Sequence, residues 1–135
     1  MSLMTELLKK PPSLSTVARY TALNGILYLG AGALLAAWPG ATQVIFKDAD
    51  FTGHEGALIR VVGMTVMVIG WLYLFGGRSA ARPFVAATVF DRVVLVPAVL
   101  LPLVVAGVFP HLLLAFAILD PTLGILAWLL LSREN

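Results

Sequence analysis

The stretch PHLLLAFAILDPTLGILAWLLL, Pro110 to Leu131, decides the fold class. It runs for about 20 residues with one charge, Asp120, in its interior, and at about 1.5 Å of rise per residue a helix of that length crosses a hydrocarbon core about 30 Å thick. A barrel strand is about half as long and alternates polar with apolar residues. The stretch reads as a transmembrane α-helix, and three more of its kind precede it. They are Val17 to Trp38 (17–38), closed by Pro39-Gly40; Gly56 to Phe75 (56–75), closed by Gly76-Gly77; and Phe84 to Ala106 (84–106). With 110–131, the fold class is an all-α bundle of four transmembrane helices, up-down-up-down, forming a single domain over 17–131.

Composition agrees. Of 135 residues, 60% are hydrophobic and 12% charged, which leaves too little polar surface to cover a water-soluble globule. The absence of cysteine excludes disulfides, thiolate metal sites and cysteine nucleophiles. A basic balance can signal nucleic acid, but here the net charge is only +2 and the basic residues flank apolar segments, where they serve topology. No nucleic-acid partner is expected. The first apolar segment follows Lys9, Lys10 and Arg19 and contains LGAGA, the charge layout of a signal peptide. It is read here as a retained first span.

Residues 1–16 form a polar arm in which KKPP breaks any helix, and residues 132–135 form a short tail. The turn GVFPH makes the third and fourth helices an antiparallel hairpin. Pro97 and Pro102 predict a bend in the third helix. The longest connection joins helices one and two, and its TQVIF portion is assigned to the membrane interface. Because the helices alternate, the arm, the second loop and the tail share one side, which carries Lys9, Lys10, Arg19, Arg78, Arg82 and Arg133; Lys47 is alone opposite. The positive-inside rule then places both termini in the cytoplasm, and a bacterial inner membrane is the expected location.

Four charges fall within the spans: Arg60, Asp91, Arg92 and Asp120. Each costs about 2.5–3.5 kcal/mol near a span's centre unless paired, hydrated or neutralised. Counting rise from the helix starts puts Arg92 about 13 Å from the cytoplasmic face and Asp120 about 15 Å from the opposite one, within a few Å of one level. An Arg92–Asp120 pair is the natural expectation. Pro121 adds to it by leaving the Ala117 carbonyl without a helical partner beside Asp120, and one arginine fork satisfies both acceptors. Asn24, Tyr28 and Thr122 lie near the same depth and, with Asp91, complete an intramembrane polar cluster that serves as a packing clamp or as a ligand or proton site. Arg60 and His111 are placed at the interface, Arg60 by snorkelling.

No metal site is assigned: Asp48, Asp50, His54 and Glu55 lie close together, but their spacing matches no motif and reads as a solvated loop. Gly25, Gly30, Gly32, Gly63 and Gly70 permit close helix approach. Trp38, Trp71, Tyr73 and Trp128 fit an aromatic belt. No catalytic triad, phosphate loop or haem-ligating histidine pair is present, and no cofactor is implied.

The segment RVVGMTVMVIGWLYLFGGR, Arg60 to Arg78, resembles the DoxX-like group of small four-helix bacterial membrane proteins, through the arginine opening helix two and the glycines Gly63 and Gly70 behind it. The resemblance implies the four-span plan. It carries over no catalytic residue, although some members are associated with quinone-linked sulfur oxidation. The plan is also similar, in architecture alone, to the sterol-isomerase and sigma-2-receptor group. Three functions follow as expectations. The first is a non-enzymatic membrane protein that binds a lipophilic small molecule in its polar cluster or serves a membrane assembly. The second is an oligomeric transporter or channel component using Asp120 and Arg92. The third is an enzyme on a quinone- or sterol-like substrate, with Asp120 or Asp91 as acid or base. The partners implied are the lipid bilayer, a lipophilic ligand, and a second copy or another membrane protein.

Overall fold

The computed structural model describes residues 2–135, so Met1 of the arm lies outside the described residues. Its helices are α1 (Leu3–Leu8), α2 (Thr16–Ala37), α3 (Ala41–Val44), α4 (Glu55–Arg78), α5 (Arg82–Phe90), a π-helical turn (Asp91–Leu95), α6 (Val96–Val105) and α7 (Pro110–Arg133); no strand occurs among the described residues. Four helical rods are long and apolar enough to cross a membrane: α2, α4, the continuous Arg82–Val105 and α7. Leucines, valines and tryptophans stay exposed along all four, as a lipid-facing surface requires. The polar arm is not structureless. Ser2 caps α1 by accepting from the Thr5 amide, and the helix ends before Lys9-Lys10-Pro11-Pro12.

The tightest packing joins α2 to α4. Ala18, Gly25 and Gly32 on α2 and Gly63, Gly70 and Gly77 on α4 recur at heptad spacing, which keeps each set on one face as two helices wrap around one another. A Cβ added at Gly70 would meet the Gly25 carbonyl at 2.6 Å and the Leu29 backbone; one added at Gly25 would meet the Gly70 carbonyl at 2.6 Å and the Leu74 backbone. The pairing order is antiparallel. Among lipids, where apolar burial gives helices no preference for each other, such close backbone approach supplies the attraction through dispersion. Two sequence expectations change here. Gly30 has nothing within 4 Å and takes no part in the seam. Gly76-Gly77 does not end α4, because Gly77 seats against Ala18 and Ala22 of α2 and the helix runs on to Arg78.

The helix ends are stitched by charges of the sign the helix dipole favours. At the N-terminus of α7, Pro110 has no amide proton to satisfy, and the Asp48 carboxylate accepts from the His111 and Leu112 amides, both at 2.9 Å. At the N-terminus of α2, Glu134 accepts from the Val17 amide at 2.9 Å. At the C-terminus of α2, Arg60 donates to the Ala36 carbonyl at 2.6 Å, and at that of α7, Arg82 donates to the Leu131 carbonyl at 3.1 Å. Each contact ties a helix end to a segment distant in sequence. Arg60 thus binds another helix's orphan carbonyls, beyond the snorkelling expected of it.

Asp48 is also a correction to the solvated-loop reading, since its side chain is fully buried. It holds the connection between α2 and α4 over one end of the bundle. There Phe46, Phe51, Phe109 and Phe116 pack on a core of Leu35, Ile59 and Leu112. In the TQVIF portion, Thr42 turns inward and Phe46 joins this core, while Val44 and Ile45 remain exposed. Asp48→Ala removes two charge-assisted bonds at once and is expected to cost about 2–4 kcal/mol. Thermal unfolding in detergent checks the loss, and amide exchange at His111 and Leu112 should rise with it; unchanged exchange there would disprove the cap.

Candidate functional site

The site begins with a local consequence of proline. Pro97 has no amide proton, so an α-helical turn ahead of it would leave a carbonyl unpaired. Just ahead of Pro97 the chain takes a π turn, in which the Val96 amide bonds the Asp91 carbonyl one residue further back than in an α-helix. The widened turn fans successive side chains less, and Asp91 and Arg92, though adjacent, both face one interior cavity. The sequence predicts a bend here; the structure has a π turn, and it carries two of the four charges within the spans.

Each of these charges has found a neutral partner. Asp120 of α7 accepts a hydrogen bond from the Tyr28 hydroxyl of α2. Asp91 accepts from the Tyr73 hydroxyl of α4 at 2.5 Å. The two tyrosine rings meet edge to face, centroids 5.5 Å apart, and the Arg92 guanidinium lies 5.0 Å from the centre of the Tyr73 ring. Arg92 itself is 1% exposed. Its Nε donates to the Thr88 carbonyl and its Nη2 to the Thr88 hydroxyl, both at 3.0 Å, while Nη1 has no hydrogen-bond partner. Gly124 makes room for this arrangement, because a Cβ there would stand 3.0 Å from Arg92 Cβ.

The expected Arg92–Asp120 ion pair does not form: among the described residues no salt bridge joins them. Both instead line a cavity of about 40 Å³, together with Tyr28, Tyr73 and Asp91 and against Val66, Ile69, Val96 and Phe116. That is room for one or two water-sized groups. An apolar groove of about 290 Å³ adjoins it between α4, α6 and α7, lined by Val62, Leu95, Val99, Leu100 and Leu113 and sharing Val66, Ile69, Val96, Phe116 and Asp120 with the cavity.

The other expected members are placed differently. Thr122 is exposed, and its hydroxyl bonds the Ile118 carbonyl of its own helix. Asn24 is buried on α2 one turn before Tyr28, with its Nδ2 unpartnered, but it does not line the cavity. His111 sits at the start of α7 with its ring largely exposed, 3.2 Å from Asp48. Tyr73 and Thr88 are members that sequence reasoning missed. Tyr73 is 5% exposed and belongs to the cluster, not to an aromatic belt. A signal for it existed: Tyr28 and Tyr73 each follow a seam glycine, Gly25 or Gly70, by three residues and so share its helix face.

Among the described residues no group of three or more histidine, aspartate or glutamate side chains is arranged to hold a metal ion. Comparison with protein-family models, with curated proteins and with solved structures finds no match to this chain.

Proposed function

We propose that this polytopic membrane protein binds a lipophilic small molecule, with the apolar body in the groove between α4, α6 and α7 and the polar end in the Tyr28–Tyr73–Asp91–Arg92–Asp120 cavity. The observation that carries this reading is that the two spaces share a wall: Asp120, with Val66, Ile69, Val96 and Phe116, lines both the apolar groove and the polar cavity. Ligand sites are commonly apolar clefts with a few convergent polar groups, and a groove of about 290 Å³ is near the lower end of their size range. An intramembrane arginine flanked by two carboxyl groups is costly to keep for packing alone. The cluster points into one bundle rather than outward, which favours ligand binding over an ion path along the axis of an oligomer.

The protein lies in a bacterial inner membrane with both termini cytoplasmic, acts as a binding protein or assembly subunit without catalysis of its own, and is kin to the DoxX-like group. Orientation is tested by cysteines introduced at Thr52 and Ser79: an impermeant thiol reagent added outside should label the first and spare the second, and the reverse pattern would overturn it.

The binding site is tested with Val66→Trp, which puts an indole into the space common to groove and cavity. Protein purified into nanodiscs is extracted with organic solvent and the extract examined by mass spectrometry. Wild type should carry a lipophile enriched over the bulk lipid, and the variant should lose it while keeping its helical content. A wild-type extract no different from bulk lipid would defeat the proposal.

A further inference from the structure

A recess away from the polar cavity lies at the end of the bundle where α2 begins and α7 finishes. It measures about 750 Å³ and is lined by Ser13, Ser15, Thr16 and Arg19 around the start of α2, by Arg82 at the start of α5, and by Glu134 just after α7. Two guanidiniums stand against one carboxylate, so one positive charge is in excess. The carboxylate is already engaged: Glu134 Oε1 accepts from the Val17 amide at 2.9 Å, and Oε2 lies 4.0 Å from Arg82 Nη1. The exposed Arg19 guanidinium, in contrast, has no hydrogen bond or ion pair among the described residues. Such a recess favours an anion, and the serine and threonine hydroxyls beside it favour one rich in acceptor oxygens. An ammonium would find no free carboxylate there.

Arg82 also stands at the head of an apolar groove. Its Nη2 donates to the Leu131 carbonyl at 3.1 Å, and Leu131 lines a groove of about 360 Å³ between the third span and α7, together with Ala86, Val89, Val93 and Trp128. Arg82, Ala86, Val89 and Val93 recur at helical spacing on one face, so this face leads from the guanidinium down the groove for about 16 Å, at about 1.5 Å of rise per residue. The recess is formed by the ends of spanning helices and therefore lies at the level of lipid headgroups, while the groove enters the hydrocarbon. We propose that this surface holds one anionic phospholipid, its phosphate in the recess with Arg19 and Arg82 and an acyl chain in the groove past Ala86 and Val89. The site is separate from the groove between α4, α6 and α7 and stands independently of the function assigned to that groove. Arginines near a membrane surface attract anionic lipid in general; here the unengaged Arg19 and the groove below Arg82 give the attraction a fixed place.

The test reconstitutes the intact protein into nanodiscs of equimolar dioleoyl phosphatidylglycerol and dioleoyl phosphatidylcholine and identifies the lipid it retains by native mass spectrometry. Phosphatidylglycerol should be retained about fivefold or more over phosphatidylcholine, and Arg19→Gln should lower that ratio about fivefold, the effect of one basic residue at an anionic surface. Arg133→Gln removes a charge from the same end of the bundle but outside the recess, and should leave the ratio unchanged. Ala86→Trp, at an exposed position that fills the groove, should lower the amount of phosphatidylglycerol retained while helical content by circular dichroism stays the same. Equal retention of the two lipids by wild type would overturn the proposal, and this arm needs no variant to fold. Equal losses in Arg19→Gln and Arg133→Gln would overturn it in favour of diffuse attraction, and full retention in Ala86→Trp would overturn the seat of the acyl chain. Release of the retained lipid by millimolar inorganic phosphate, with no matching release by sodium chloride of equal ionic strength, would show a site for the free anion and overturn the lipid assignment.

Discussion

Gly70→Leu is expected to leave the protein unable to assemble its bundle, and Gly70→Ala alone to cost about 1–3 kcal/mol or more through overpacking. The reason is that the first added carbon meets backbone rather than side chain. The Gly25 carbonyl and the Leu29 amide belong to a neighbouring helix whose hydrogen bonds keep it rigid, so no rotamer change relieves the clash and α2 must move away as a whole. Its effect should reach the candidate site, because Tyr28 and Tyr73 lie just beyond Gly25 and Gly70, and a wider seam pulls apart two rings now 5.5 Å between centroids. The control is Gly30→Ala, on the same helix with nothing within 4 Å, which is expected to be neutral or slightly stabilising through helix propensity. Unfolding of the three variants in detergent, followed by circular dichroism, separates them. If Gly70→Ala behaves like Gly30→Ala, the seam does not hold the bundle together.

Much of the fold was legible because a bilayer imposes a length and a composition, and Val17 to Trp38 or Pro110 to Leu131 satisfies both without reference to the rest of the chain. The site was legible only in part. Counting rise along a helix gives the height of a residue in the membrane but not the direction it faces. Arg92, Asp120, Asn24, Tyr28 and Thr122 share one height in that arithmetic, yet Thr122 faces outward and Asn24 lies away from the cavity. Direction depends on helix rotation, and rotation of the third span depends on a π turn that Pro97 announces only as a bend. Tyr73 could not be assigned from its position near a span end alone, where an interfacial tyrosine and one bonded to Asp91 read alike; only its spacing from Gly70 tells them apart. Asp48 was hidden for a different reason. A cap supplied by another segment has no local spacing to recognise, unlike a serine at the start of its own helix, such as Ser15 before α2.

Replacing Asp120 shows which partner it serves. Asp120→Ala deprives the Tyr28 hydroxyl of its acceptor and Arg92 of one of two nearby carboxyl groups, and it is expected to destabilise the bundle by about 2–4 kcal/mol. The coupling should be largest with Tyr28: a double-mutant cycle of Tyr28→Phe with Asp120→Ala is expected to give about 0.5–3 kcal/mol, the range for a hydrogen bond to a neutral or a charged group. The cycle of Arg92→Met with Asp120→Ala should give less, because no salt bridge joins that pair. A larger coupling to Arg92 than to Tyr28 would refute this partner assignment. Removing both ends of the bond with apolar groups, as Tyr28→Phe with Asp120→Leu, should recover most of the lost stability, since no buried polar atom of that bond is then left unmet. What such a variant carries decides why the aspartate is in the span at all. A packing clamp predicts a stable protein with its usual lipophile. The binding site proposed here predicts a stable protein without it, because the wall between groove and cavity has changed from a carboxyl group to a hydrocarbon.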